Sequence, residues 1–502
     1  MARALMIQGT ASHVGKSLIV AGLCRLFRQE GLRVVPFKSQ NMALNAYVTR
    51  DGGEMGWAQA MQAEAAGVEP GVEMNPILLK PQSDQGSQVI LLGKVLGTTS
   101  AQDYYQMTAR LWAAVVESYR RLAAEADLVL IEGAGNPAEP NLMEREIANM
   151  AVASLARAPV LLVGDIDRGG VFGALLGTMA ILKPSDRRRI KGFIINKFRG
   201  DPSLLTSAIE FLELKTRRPV LGIVPVLPRL HLPEEDSVSL EEIPPREDPV
   251  GKIKIAVVRL PHIANFTDFA PLELEPGVEV VYARRPAELA AAHLAILPGS
   301  KDTIADLRFL KAEGFDRALF LHLAQGGAVA GICGGYQMLG RSVADPLGVE
   351  SGGEEPGLGL LPVSTVLEPD KITRRVSACL LPGPWGEGSG EWEAYEIHMG
   401  RTASEGELAP LFSVCHRGSQ PAKSADGLIT PDGRVWGTYL HGCLDAPTVR
   451  SRLLAWLRKR ALTPPVAPSA DYRTLREAAY DALAEALRRS LNLPAIRALI
   501  GL

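Results

Sequence analysis

A short apolar run, Ala4 to Ile7, breaks at Gly9, passes through a loop to Gly15, and continues as Lys16-Ser17 into a segment, Leu18 to Phe27, that is apolar at helical spacing. No other stretch limits the fold as much. A buried strand, a glycine-bounded loop and a helix start point backbone N–H groups and a helix N-terminus at one place, and a phosphate fits there. Lys16 then reaches the terminal phosphates of a nucleotide, and the Ser17 hydroxyl takes Mg²⁺. Five residues separate the two glycines, one more than in the common phosphate loop. An ordinary glycine-rich turn between strand and helix is the plainer alternative.

The pattern around this loop predicts an α/β protein. Apolar runs at Ala4–Ile7, Arg33–Phe37, Asp127–Ile131, Pro159–Val163, Gly192–Ile195 and Val220–Val224 read as strands. Helical segments at Glu54–Ala66, Ala101–Ala124, Met143–Ala156 and Ser203–Leu214 lie between them. Such alternation predicts a doubly wound parallel sheet covered on both faces, with ligands at the carboxyl ends of its strands. At 502 residues the chain is too long for one core. Residues 1–232 read as the first domain, and the acidic, proline-rich stretch 233–251 as a linker. A second α/β domain is expected over 252–446, with strands at 252–258, Val278–Tyr282, His293–Leu297, Ala328–Ile332 and Arg434–Leu440. A helical tail, Arg450–Arg460 and Tyr472–Ser490, is expected within 447–502.

Polar residues gather where the first-domain strands end. In the segment after the second strand, Asp51 and Glu54 read either as helix-capping carboxylates or as a Mg²⁺ ligand opposite Ser17, with Glu54 opening the next helix. Lys80, between two prolines, is by itself an ordinary solvated lysine. Glu132 ends an apolar strand before two glycines, a place for a metal-coordinating carboxylate. Asp165, Asp167 and Arg168 repeat the pattern one strand on, and Asn196 ends another strand with an amide able to read a purine edge.

The second domain carries AVAGICGGYQMLG, residues 328–340. Cys333 stands at a strand-to-helix junction with Gly331 before it and Gly334-Gly335 after it, the small residues a sharp nucleophile turn requires. The helix start beneath it favours thiolate. The Gly334 N–H is one oxyanion donor, and the Gly299 turn in LPGSKDT is placed to give another. A buried apolar cysteine in a turn is the plainer reading. A cysteine nucleophile wants a histidine base, and His441 ends the last clear strand of this domain, with His398 as competitor. Two residues after His441 stands Cys443 and not a carboxylate, so a Cys-His dyad is expected.

Bulk properties narrow the function. Net charge of −2 with 22% charged residues gives no reason to expect nucleic acid or an acidic membrane surface as partner. No apolar run is long enough to span a bilayer, and no basic, apolar leader stands at the start. Five scattered cysteines without metal spacing suit a reducing cytoplasm. Homo-oligomerisation stays open.

The GTxxxVGKS spacing and the EGAG strand end resemble dethiobiotin-synthetase-type domains, and ICGGYQMLG resembles the class I glutaminase elbow. The two together resemble the cobalamin-pathway amidases. KSQNMALNAYVTRDGGEMGWAQAMQAEA, MNPILLKPQSD, GDIDRGGVFG, INKFRGD, LPGSKDT, YEIHMGRT and GTYLHG extend the resemblance over residues 1 to about 445. It implies an ATP-consuming, glutamine-dependent amidation of corrin side-chain carboxylates, and SQNMALN and YEIHMGRT favour the amidase of that group that takes four of them. It also implies that Gly9, Thr10, Gly15, Lys16 and Ser17 bind ATP, that Glu54 and Glu132 are metal carboxylates beside Ser17, and that Asn196 stands at the adenine. A phosphate-loop ATPase switch and a binding protein with a dead glutaminase fold are the rivals from other classes. The intact Cys333 and His441 argue against both.

Overall fold

The apolar runs pair as parallel strands because they are buried on both faces. The computed structural model describes the whole chain except residues 1, 84–85, 228–229, 231, 233–251 and 468–469. The expected linker, 233–251, therefore lies outside the described residues.

In the first half the strands are β1 (Arg3–Gly9), β2 (Val34–Phe37), β3 (Leu128–Glu132), β4 (Val160–Asp165), β5 (Ile190–Phe198) and β6 (Val220–Pro225), with helix α1 (Lys16–Gln29) following β1 and α2 (Trp57–Ala66) following β2. They line up as β6-β5-β4-β1-β3-β2, every neighbouring pair parallel. Alternate residues of β1 face opposite layers, as a two-residue period requires. Leu5 and Ile7 pack with Leu130, Val163 and Ile194, whereas Ala4 and Met6 pack with Val129, Leu162 and Phe193. The strand order reverses beside β1, so the crevice at the carboxyl ends opens there, where the Gly9–Gly15 loop lies.

The second half repeats the design with β7 (Ile253–Val258), β8 (Val278–Ala283), β9 (Leu294–Leu297), β10 (Ala328–Ile332), helix α3 (Gly334–Met338) and β11 (Val435–Thr438). The order is β8-β7-β9-β10-β11, with Leu428–Ile429 antiparallel at the edge. Both halves are thus doubly wound α/β layers, as the sequence pattern predicts.

Several local expectations are corrected. Glu54 does not open a helix. Residues Glu54–Gly56 pair as a strand with Ala46–Val48, and α2 starts at Trp57. The helix expected over Met143–Ala156 is confined to Met150–Leu155. Glu146 accepts hydrogen bonds from the N–H groups of Ala148, Asn149 and Ala151, which caps the helix from ahead and keeps the preceding turn out of it. The segment Ala101–Ala124 is interrupted at Met107, and Ser203–Leu214 begins as a 3₁₀ turn. Three four-stranded sheets without parallel-run signatures were not anticipated, one holding Ile77–Ser83 and Gly86–Leu91, two in the second half.

The C-terminal helices divide between the halves. Helix α4 (Pro447–Arg460) buries Val449, Leu453 and Leu457 in the second core. Helix α5 (Tyr472–Ser490) and α6 (Leu493–Ile500) return to the first core, where Tyr480, Leu483, Leu487 and Ile496 pack with residues of α1. Arg25 of α1 holds Asp481 at 2.7 Å and Glu477 at 2.8 Å. Leu487 is fully buried, and truncating such a leucine removes transfer energy and leaves a cavity, about 2–5 kcal/mol. Leu487→Ala should therefore lower the unfolding temperature of the first half in calorimetry and leave a second-half transition in place.

Candidate active site

The loop after β1 is held by its neighbours. Thr10 N–H donates to Val163 O at 2.9 Å, fixing the loop to β4. Gly15 has φ of 93°, and a side chain there would collide with the Asn196 amide. Only glycine meets both demands. Asn196 Nδ2 donates to Val14 O at 2.8 Å, so the amide expected at a purine edge spends one N–H on the loop backbone. Lys16 Nζ donates to Ala11 O at 2.8 Å and to Gly135 O at 3.3 Å, a lysine folded over its own loop.

Glu132, at the end of β3, is the hub. Its Oε1 accepts from Ser17 Oγ at 2.9 Å and from Lys38 Nζ at 2.8 Å, and Oε2 accepts from Gln62 at 2.5 Å. Burial works to raise this carboxyl, but the Lys38 and Lys16 charges hold it below its ordinary value. Ser17 and Glu132 are thus brought together as expected, but Glu54 is not. Its Oε1 meets Lys80 at 2.8 Å and its Oε2 meets Lys371 of the second half at 2.5 Å. Among the described residues no group of three His, Cys, Asp or Glu side chains is arranged to hold a metal. Lys80 is buried in this ion cluster and is not the solvated lysine of the plain reading. Asp165 pairs with Lys197 at 3.0 Å and Asp167 with Arg199 at 2.9 Å, while Arg168 is exposed.

The second site is built at the end of β10. Cys333 has φ of 54° and ψ of −110°, a strained turn for a residue with a Cβ. It is held by its N–H to Thr438 O on β11 at 2.8 Å and sits 6% exposed. A side chain on Gly335 would run into the Leu297 carbonyl of β9, so the turn can close this tightly only with glycine there. The Gly299 turn lies alongside: a Cβ at Gly299 would stand 3.4 Å from His441 Cε1, and one at Gly334 2.9 Å from Ser300 N.

His441 is fully buried, and the expected dyad is corrected here. Asp268 Oδ2 lies 2.6 Å from His441 Nδ1, and Asp268 Oδ1 accepts from Gly442 N–H at 2.9 Å. The carboxylate missing after His441 comes from a 3₁₀ turn, Phe266–Phe269, far upstream. Burial alone would lower the imidazole, but the Asp268 charge and hydrogen bond, with the Cys333 contact, raise it to about 10. The ring stacks on Tyr395, centroids 5.1 Å apart. His398 lines the cavity in front of Cys333, but burial and the nearby His441 push it down to about 3, its Nδ1 has no hydrogen-bond partner among the described residues, and it stacks on Tyr439. Among the described residues no carboxylate holds it as Asp268 holds His441.

First-half residues reach this site. Ala46 N–H donates to Asn265 Oδ1 and Phe266 N–H to Asn45 Oδ1, each at 3.0 Å, while Asn265 Nδ2 lies 3.4 Å from His441 Nε2.

A strained cysteine with a buried histidine and carboxylate beside it, joined to a phosphate-loop domain, agrees with the comparisons. Residues 5–239 match the CobQ/CobB/MinD/ParA nucleotide binding domain, and residues 254–449 the CobB/CobQ-like glutamine amidotransferase domain. The protein is therefore of the class in which a nucleotide-binding domain and a glutamine amidotransferase share one chain. Cobyric acid synthase of Syntrophobacter fumaroxidans is 49% identical over 100% of this chain and 99% of its own length. That of Pelotomaculum thermopropionicum is 51% identical over 100% and 97%, and that of Sorangium cellulosum 50% over 99% and 98%. The chain belongs to the cobyric acid synthase family. No helix of the described residues is long and apolar enough to cross a membrane.

The Asp268–His441 pair generates a pH prediction. The folded-state value, about 10, lies above the ordinary histidine value of about 6.5. The pair's contribution to stability is therefore complete below about pH 6.5 and is lost as pH rises through the folded value. Asp268→Asn should bring the His441 titration down by NMR, flatten stability across that window, and cut glutamine hydrolysis by about 10²–10⁴ as the general acid–base loses its orientation.

Proposed function

We propose that the protein converts four side-chain carboxylates (b, d, e and g) of a corrin a,c-diamide into amides, drawing nitrogen from glutamine and energy from ATP. The Cys333–His441–Asp268 arrangement in one chain with the Ser17–Glu132 pair of a phosphate loop supports the use of glutamine and ATP, and the likeness to cobyric acid synthases over the whole chain supports the corrin substrate.

In the glutaminase half, Cys333 Sγ attacks the side-chain amide carbon of glutamine. The oxyanion is met by the N–H groups of Gly334 and Gly299. His441, held by Asp268, gives a proton to the leaving nitrogen, and ammonia departs from a thioester. Water, deprotonated by the same imidazole, then releases glutamate.

In the first half a carboxylate is a poor acyl donor until it carries a leaving group. Transfer of the terminal phosphate of ATP to a corrin carboxylate gives an acyl phosphate and ADP, and attack by ammonia gives the amide and phosphate. Lys16 would turn from the carbonyls of Ala11 and Gly135 to the phosphates. In this reading Asn196 is assigned to the adenine, and Asp165, Asp167 and Arg168 to the substrate side of the crevice. The Ser17 hydroxyl and Glu132 carboxylate, 2.9 Å apart, are hard oxygen donors that suit Mg²⁺. The ion would neutralise charge on the phosphates. Glu54 is left out of that set because both its oxygens are taken by lysines. A cytoplasmic setting supplies ATP and keeps the Cys333 thiol reduced.

Mass spectrometry of a corrin a,c-diamide incubated with ATP, Mg²⁺ and glutamine tests the proposal. Successive replacement of OH by NH₂, up to four times, is expected. Cys333→Ala should lose the glutamine-driven reaction and keep the reaction with ammonium salts, whereas Lys16→Ala should lose both. Replacement of only two carboxylates of an unamidated corrin would assign the chain to the a,c-diamide-forming amidase instead. Equal ammonium-driven rates for Lys16→Ala and wild type would sink the role given to the phosphate loop.

A further inference from the structure

The cavity in front of Cys333 contains more charge than the hydrolysis of an amide uses. Lys80, Lys301, Lys371 and Glu350 all line it. Two of the lysines are accounted for, since Lys80 and Lys371 each hold one oxygen of Glu54. Lys301 is different. It is 6% exposed, and among the described residues no carboxylate lies within ion-pairing distance of its ammonium and no side-chain hydrogen bond ends on it.

Glu350 is the acid of the same wall, its carboxyl pushed up by burial to about 8. One of its oxygens accepts from Thr303 N–H at 2.6 Å. The neighbouring acid, Asp302, is already spent on Ala305 N–H, at 3.0 Å, and on Ser351. Burial pulls Lys301 and Glu350 each toward its neutral form, and each pulls the other back toward charge. They stand near enough to feel one another and too far apart to pair. A buried amine and a buried acid in that relation are each left without a full charge partner. A zwitterion fitted between them would complete both.

Their position suits the amino-acid end of glutamine. Lys301 follows the Gly299-Ser300 turn, and Thr303, which anchors Glu350, has its hydroxyl 3.3 Å from where a Cβ of Gly334 would lie. With the amide at Cys333 and its oxygen toward Gly299 and Gly334, the α-carbon lies a few bonds back along this wall. Resting on the glutaminase reading above, we propose that Lys301 binds the α-carboxylate of glutamine and Glu350 its α-ammonium group. The pair thereby selects free glutamine over amides that lack either charge.

Deleting one charge at a time from the substrate and from the protein tests this. The full-length protein and its Lys301→Met, Lys301→Arg and Glu350→Gln variants are assayed for ammonia release from three amides. These are L-glutamine, glutaramate (which lacks the α-ammonium) and 4-aminobutanamide (which lacks the α-carboxylate). Lys301→Met should lower kcat/KM for L-glutamine and glutaramate by about 10–100-fold, the loss of one charge-assisted contact. It should leave 4-aminobutanamide unchanged, and Lys301→Arg should recover part of the loss. Glu350→Gln should lower L-glutamine and 4-aminobutanamide and leave glutaramate unchanged. A uniform loss on all three amides would make these residues structural and overturn the assignment, as would no loss at all. Failure of the wild type to hydrolyse L-glutamine would instead overturn the glutaminase reading, and this proposal with it.

Discussion

The buried carboxylate of Glu54 is the constraint on which the joining of the two halves depends. Its two oxygens are shared between Lys80 of its own half and Lys371 of the other. Burial raises such a carboxyl, but the two ammonium groups outweigh it and hold the group down at about 2. It is therefore charged at any ordinary pH. A charge this deep tolerates no loss of partner, because removing one leaves the other in a low-dielectric site, at about 3–5 kcal/mol. Sliding one half over the other would have the same cost. The short strand Glu54–Gly56 is thereby pinned against the second half, and with it the Ala46–Val48 strand it pairs with.

What the pinning positions is the amidotransferase site. Ala43, Ala46, Val48, Leu78 and Ile90 of the first half share an apolar cluster with Tyr395 and Ile397 of the second. Tyr395 is the ring stacked on His441, and the Ile397 carbonyl lies 3.5 Å from Cys333 Sγ. Asn45 and Ala46 clasp the Asn265 turn next to the imidazole. The histidine of one half is thus walled by residues that the other half keeps in place. In the proposed reaction, ammonia is released at Cys333 beside the seam between the domains.

How much of this the sequence reveals depends on whether a feature is local. The phosphate loop is legible because strand, glycines, lysine and helix are contiguous, and the Cys333 elbow for the same reason. The parallel strands are legible because double-sided burial makes continuous apolar runs, as in β3 and β10. Asp268 has no such signature. It reaches His441 across 173 residues from a one-turn 3₁₀ element, and its one trace in sequence is an acid set among buried aromatics, Phe266 and Phe269. Glu54 misleads for the opposite reason. A carboxylate ahead of a helical run looks like a cap, and its true partners lie 26 and 317 residues away. The small four-stranded sheets mix buried and half-buried residues along their strands, as in Ile372–Leu380, so neither a continuous apolar run nor a clean alternation stands out.

The two sites use the same architectural position for different physics. In the first half the carboxyl ends of the strands present backbone N–H groups and one hub carboxylate, Glu132, arranged around a place for phosphate. Lysines compensate that carboxylate from within, so an arriving polyphosphate finds cations already gathered. In the second half the same strand ends present a side-chain thiol, that of Cys333, in a strained turn. There the critical charge, on His441, is compensated by the Asp268 carboxylate and covered by the stacked Tyr395 ring. Moving Asp268 to the position two residues after His441 would place it on the exit turn of β11, where Cys443 is fully buried. Desolvation drives the Cys443 thiol well above its ordinary range, and a carboxylate in that spot would carry the same penalty without the Gly442 N–H to offset it. Supplying the acid from the Phe266–Phe269 turn avoids that penalty and ties the imidazole to the Asn265 segment that the first half clasps.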